Sequence, residues 1–289
     1  MNENRRKLAI WILATLLFQG SIYLYLDKVL LAPTSSYQVS AVTTEPVTGG
    51  QAYYSRDRRY TAIVKEGTVE VFTAGRKEPV RTISLGQKRV SYFRWLDDRD
   101  LALMAVYEDS AGASEVTLTQ VQPLSSGHEL AETVSKLPRG SKITDVAFST
   151  ATNVVFMLVK MPGNPEQFRV YRTDANRDLK RVYLNSSRIG RIAVLYDRDT
   201  MYYDSLPDGI VTARHGDGSW EVVSPAVGKY NLVGVDAANN VYIALLNKDG
   251  LATKIFVARP KGKFTEERVL QTPMDVRQLT VKELGKAAR

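Results

Sequence analysis

Five times in this chain an apolar run, a short polar turn and a second apolar run follow one another. The units are AYYSRDRRYTAIVK (52–65), VSYFRWLDDRDLALMAVY (90–107), ITDVAFSTATNVVFMLVK (143–160), RIAVLYDRDTMYYDS (191–205) and YNLVGVDAANNVYIALLN (230–247). Measured between turns, near Asp57, Asp98, Thr152, Asp199 and Asn239, they lie 41, 54, 47 and 40 residues apart. β-Branched and aromatic residues alternate with polar ones within the runs, the period-two pattern of strands. Two more strand-like stretches follow each unit. They are Val69–Thr73 with Val80–Ser84, Glu115–Gln122 with Glu129–Val134, Phe168–Thr173 with Lys180–Leu184, Gly209–Ala213 with Trp220–Ser224, and Lys254–Arg259 with Glu267–Gln271.

Four short strands every 40 to 50 residues is the arithmetic of a β-propeller blade. A blade buries its faces only against its neighbours, so several must stack before any is stable. The expected fold is all-β: a β-propeller-like domain of about five four-stranded blades over 52–282. A pair of β-sandwiches is the alternative, and it explains the recurring unit less well. VSYFRWLDDRDLALMAVY and ITDVAFSTATNVVFMLVK resemble the blades of bacterial WD40-like and TolB-type propellers, with an Asp-containing or polar turn between two apolar strands. The chain has no Trp-Asp pair at the blade ends, and Pro207, Asp208 and Gly209 fall between later strands. VRQLTV, Val276–Val281, reads as one more strand, closing the ring against the first blade or left over from a sixth.

Before the repeats comes LAIWILATLLFQGSIYLYL, residues 8–26, with no charged side chain. As a helix it is about 28 Å long, the thickness of a bilayer's hydrocarbon core. Arg5, Arg6 and Lys7 precede it, a cluster held on the cytoplasmic side. A cleaved signal peptide is the competing reading, but no well-placed small-x-small pattern follows the run. The expectation is a cytoplasmic stub (1–7), a transmembrane helix and flank (8–31), a linker (32–51) with a short strand at Val39–Thr43, the extracytoplasmic propeller (52–282) and a polar tail (283–289). Gln19, beside Gly20 and Ser21, could bond to a partner helix within the bilayer.

The chain is 44% hydrophobic and 24% charged, the balance of a folded domain. It has no cysteine, which excludes disulfides, thiolate metal sites and a cysteine nucleophile. Its net charge is +8. That surplus reads first as a solubilising charge; as a partner signal for a domain outside the cell membrane, it fits anionic lipid or acidic wall polymer better than nucleic acid.

Motifs of chemistry are few. His128 and His215 sit in separate turns without a second His nearby, and a metal site needs several converging ligands. Asp97, Asp98 and Asp100, and Asp197 and Asp199, lack the spacing of a calcium loop and read as turn residues. Asn247, Asp249 and Gly250 read as a hairpin turn. HGDGSW, 215–220, falls short of an Asp-box because Asp217 and Trp220 are too close. There is no GxSxG elbow, P-loop or dinucleotide fingerprint. No catalytic, cofactor or metal residue is assigned. The expected function is a membrane-anchored, non-catalytic scaffold or sensor domain with an envelope protein as partner. The alternatives are a glycan-active enzyme with two central carboxylates and a binder of anionic wall polymer or lipid.

Overall fold

The computed structural model describes residues 49–109, 113–125, 130–260 and 262–281, together with positions 7, 11, 15 and 19. Among the described residues twenty strands form five four-stranded antiparallel sheets, each a simple meander. Blade 1 holds β1 (Gln51–Tyr54), β2 (Tyr60–Lys65), β3 (Thr68–Thr73) and β4 (Arg81–Ser84). Blade 2 holds β5 (Arg89–Trp95), β6 (Ala102–Asp109), β7 (Ala113–Val121) and β8 (Ala131–Pro138). Blade 3 holds β9 (Lys142–Ser149), β10 (Val154–Met161), β11 (Gln167–Thr173) and β12 (Lys180–Val182). Blade 4 holds β13 (Ile189–Val194), β14 (Thr200–Ser205), β15 (Ile210–His215) and β16 (Trp220–Val222). Blade 5 holds β17 (Tyr230–Val235), β18 (Val241–Leu246), β19 (Ala252–Ala258) and β20 (Thr265–Met274).

The composition of each strand follows its place in the blade. Consecutive first strands touch, β1 to β5, β5 to β9, β9 to β13 and β13 to β17, so they form the inner layer. Second strands lie between two sheet neighbours and two blade faces, and they read as near-continuous apolar runs, VVFMLVKM in β10 and VYIALL in β18. Fourth strands vary in length: RTIS, KRV and WEV are short, the last exposed throughout, while β8 and β20 are eight and ten residues long. Short, charged edges resist pairing with other chains.

Buried apolar side chains join blade 1 to 2, 2 to 3, 3 to 4 and 4 to 5. Tyr60, Trp95 and Met104 lie in the first cluster, and Leu118, Ile143 and Met157 in the second. Phe156, Met201 and Tyr203 lie in the third, and Val211, Leu232 and Ile243 in the fourth. Polar bonds cross between blades at about one repeat. The Trp95 indole donates to the Tyr53 carbonyl (3.0 Å), and the Tyr196 amide donates to Asn239 Oδ1 (2.6 Å).

A fifth cluster joins no second blade. On the far face of blade 5, Val233, Tyr242, Ala244 and Ile255 are covered by Val276 and Leu279, with Val281 beside them. The expected strand at Val276–Val281 is instead a 3-10 turn, Val276–Gln278, whose cap is the Asp275 side chain accepting from the Arg277 amide. The apolar residues of VRQLTV that read as a strand are there to cover a sheet face. Two more boundaries differ: the fourth strand of blade 2 runs to Pro138, and that of blade 5 runs on to Met274.

The expected span and the strand at Val39–Thr43 lie outside the described residues, apart from Trp11, Thr15 and Gln19, which are helical and exposed. Among the described residues no helix is long and apolar enough to cross a membrane.

Candidate functional site

The inner strands of blades 2 to 5 each carry an irregularity that β1 lacks. The register shifts at Val90/Tyr92 in β5, opposite Leu158/Val159 in β9, at Ile189/Ile192 in β13 and at Leu232/Gly234 in β17. β1 pairs with β2 without a shift. An extra residue bends a strand and re-aims its side chains. Here it frees backbone amides near the centre, and two carboxylates take them. Asp145 Oδ1 accepts from the Val146 amide (2.9 Å) and its Oδ2 from Ile192 of blade 4 (3.3 Å). Asp204 Oδ1 accepts from Gly190 (3.0 Å) and Arg191 (2.6 Å), and its Oδ2 from Leu232 of blade 5 (3.1 Å). A Cβ on Gly190 would stand 2.7 Å from Asp204 Oδ1, so glycine is what lets the carboxylate approach.

Arg191, between these carboxylates in sequence, turns the other way. Its guanidinium donates to Val233 O (3.0 Å), Leu279 O (3.2 Å) and Arg277 O (2.9 Å). One side chain thus ties blade 4 to blade 5 and to the segment that covers it.

The seam is electrostatically costly. Asp204 is 1% exposed, and burial raises its carboxyl to about 6 against the pull of its backbone amides. Burial also raises Asp145, opposed by the Ile192 and Val146 amides and by Arg94 and Arg191. Tyr92 is raised by burial, with Arg94 pulling it down. Arg94 itself bonds to Asp97 (3.0 Å). A carboxylate-pair hydrolase needs two accessible carboxyl groups facing one another. Asp145 and Asp204 flank one bulge, but both oxygens of each hold backbone amides. Their chemistry is that of latches between blades.

The turn residues singled out in the sequence are close to one another only in pairs. Asp97, Asp98 and Asp100 bond to Arg94, Arg99 and Arg59. Asp197 bonds to Arg198, and Asp199 to Arg172 of blade 3 (2.8 Å), which also holds Asp174. His215 Nδ1 lies 3.2 Å from Thr200 Oγ1, and its Nε2 lies 3.6 Å from Glu221. Asn247 Oδ1 accepts from the Asp249 and Leu251 amides, closing the hairpin that contains Gly250. Asp217 accepts from Ser219, and Trp220 is exposed on β16. His128 lies outside the described residues. Among the described residues no three His, Cys, Asp or Glu side chains gather as a metal site. An open groove of about 470 Å³ beside blade 2 is lined by Arg99, Asp100, Leu101, Gln122 and Leu124 among others.

The Asp145, Arg191 and Asp204 seam was missed in the sequence. Its only sequence signal is a polar residue within an otherwise apolar strand, as in ITDVAF and YYDS.

No family model matches the chain, and no curated protein does. Among solved structures it is similar to β-propeller-type proteins. One is a streptogramin B lyase, 12% identical, covering 79% of this chain and 72% of that one, with a TM-score of 0.49. Another is the calcium-binding protein regucalcin from Agrobacterium tumefaciens, 14% identical, covering 78% and 74%, with a TM-score of 0.45. A third is the Myceliophteria thermophila Cps50 (Swd1) propeller domain, 12% identical, covering 78% and 72%, with a TM-score of 0.43. The propeller assignment stands on the five meander blades themselves; the activities of these proteins are their own.

Proposed function

We propose that this chain is a membrane-tethered binding propeller of the cell envelope, a non-catalytic scaffold or sensor domain held near the bilayer by residues 8–26. The observation that carries the reading is the state of Asp204. On the second strand of blade 4, against the inner strands of blades 4 and 5, this carboxylate is buried and holds amides of two blades. A rigid stack of blades with loops at both ends is suited to display a surface. A tether raises the effective concentration of that surface for any partner in or on the same membrane.

In-cell crosslinking of the full chain, followed by identification of what is captured, tests this. The control lacks residues 37–289 and keeps the apolar segment. Capture of one envelope protein by the full chain alone is the expected result. Capture by both would place the interaction in the span, with Gln19 as its polar contact. No specific capture would overturn the scaffold reading.

A further inference from the structure

The end of the blades that carries the blade-to-blade connections is lined with exposed cations. First strands run from the end that carries the blade-to-blade connections to the end that carries the β1–β2 type turns. Each connection delivers a cation at or beside the start of the next inner strand: Lys88 and Arg89, Arg139 and Lys142, Arg188, and Lys229. Lys88 is partly exposed and the other five are exposed. None of these side chains forms an ion pair among the described residues. In the hairpins at the same end Lys65 bonds to Glu70 (2.7 Å), Lys160 bonds to Glu166, and Lys248 adjoins Asp249. Glu66, Glu108, Glu115 and Asp208 also lie at this end, fewer than the six cations.

On blades 4 and 5 these cations stand among exposed apolar side chains. The Leu206 amide donates to the Arg188 carbonyl (2.9 Å), placing Leu206 beside Arg188. A Cβ on Gly209 would stand 2.6 Å from Lys229 Cβ, and the Tyr230 amide donates to the Gly209 carbonyl (2.7 Å). The Tyr230 hydroxyl holds the Val227 carbonyl (2.9 Å). Leu206 is 40% and Val227 84% exposed. The one carboxylate in these loops, Asp208, accepts from the Ser205 hydroxyl (2.7 Å).

We infer that this end docks on an anionic lipid surface. Arg188 and Lys229 meet headgroup phosphates, and Leu206 and Val227 enter the interface between them. Cations flanking exposed apolar side chains are the composition of an interfacial contact, and each cation at such a surface adds to the attraction. β1, the first strand after the apolar segment in sequence, begins at this end. The inference rests on the tether reading and adds which end faces the bilayer.

The absence of cysteine makes the test direct. Val227→Cys, or Ala237→Cys in the first turn of blade 5, gives one labelling site for an environment-sensitive dye. The full chain is placed in nanodiscs of phosphatidylglycerol with phosphatidylcholine, or of phosphatidylcholine alone. The dye at 227 is expected to shift to the blue and be quenched by a lipid-borne spin label in the anionic discs, while the dye at 237 is not. Arg188→Glu with Lys229→Glu lowers the docked fraction about tenfold or more, and high salt does the same. Equal responses at 227 and 237, an equal response in neutral discs, or none at 227 in discs that hold the protein would each overturn docking while leaving the tether intact. A shift produced by a soluble acidic polymer, without lipid quenching, would reassign this end to such polymers. A chain that does not enter discs at all refutes the tether, and docking with it.

Discussion

The first turns of the blades and the connections between blades lie at opposite ends of the same inner strands, yet they use charge differently. In the turns acid meets base: Arg59 with Asp100, Arg94 with Asp97, Arg172 with Asp199, and the first and last of these pairs cross from one blade to the next. In the connections the bases form no ion pair among the described residues, and the buried carboxylate Asp204 binds backbone instead. The density of charged residues therefore says little about a site. The Asp-rich turns, which draw the eye in the sequence, hold blades in place. The less conspicuous connections leave charge available to a partner.

Breaking the buried layer under the connections should have the largest effect. Asp204→Leu leaves three amides unpaired, and a loss of about 3 kcal/mol or more is expected in urea unfolding. A loss below about 1 kcal/mol would remove the latch from the argument. The pH dependence carries the same group's signature. Its folded pKa, about 6, lies above the ordinary value of about 3.9. Its contribution is therefore full below pH ~4 and is lost as the pH rises through about 6. Wild type should gain stability relative to Asp204→Asn as the pH is lowered from 7 to 4, by at most a few kcal/mol. The paired turn carboxylates Asp57, Asp174 and Asp197 are held low and drive stability the opposite way on acidification. The difference between the two proteins isolates Asp204.

Arg191→Met removes three bonds to carbonyls and should cost about 1–3 kcal/mol. Faster hydrogen exchange at the Gln278 and Leu279 amides would show that the covering segment has loosened. At the turn end, Asp199→Ala should cost about 1 kcal/mol, since Arg172 keeps Asp174. Arg188→Glu with Lys229→Glu should move stability by less than about 0.5 kcal/mol per site. A large loss there would mean that the connections, like the turns, are structural, and the contrast between the ends would fail.

Much of the architecture was legible because it is local. Period-two alternation in runs such as ITDVAFS, with breaks at Asp57, Asp98 and Asn239, marks strands and turns wherever the blades later stack. VRQLTV was misread because a strand and a covering segment both need apolar residues at close spacing, and only the neighbour decides between them. Asp145 and Asp204 were passed over because one polar residue in an apolar strand has no partner in its own sequence window.

From the sequence alone came the five repeats, the all-β class, the absence of thiol chemistry and the apolar segment before the blades. Each depends on residues within a few positions of one another. Only the tertiary structure brought Asp204 to Leu232, Arg191 to the carbonyls of Arg277 and Leu279, and Leu206 and Gly209 to the cations Arg188 and Lys229. Those meetings depend on how one blade packs on the next. Period and composition do not encode that packing.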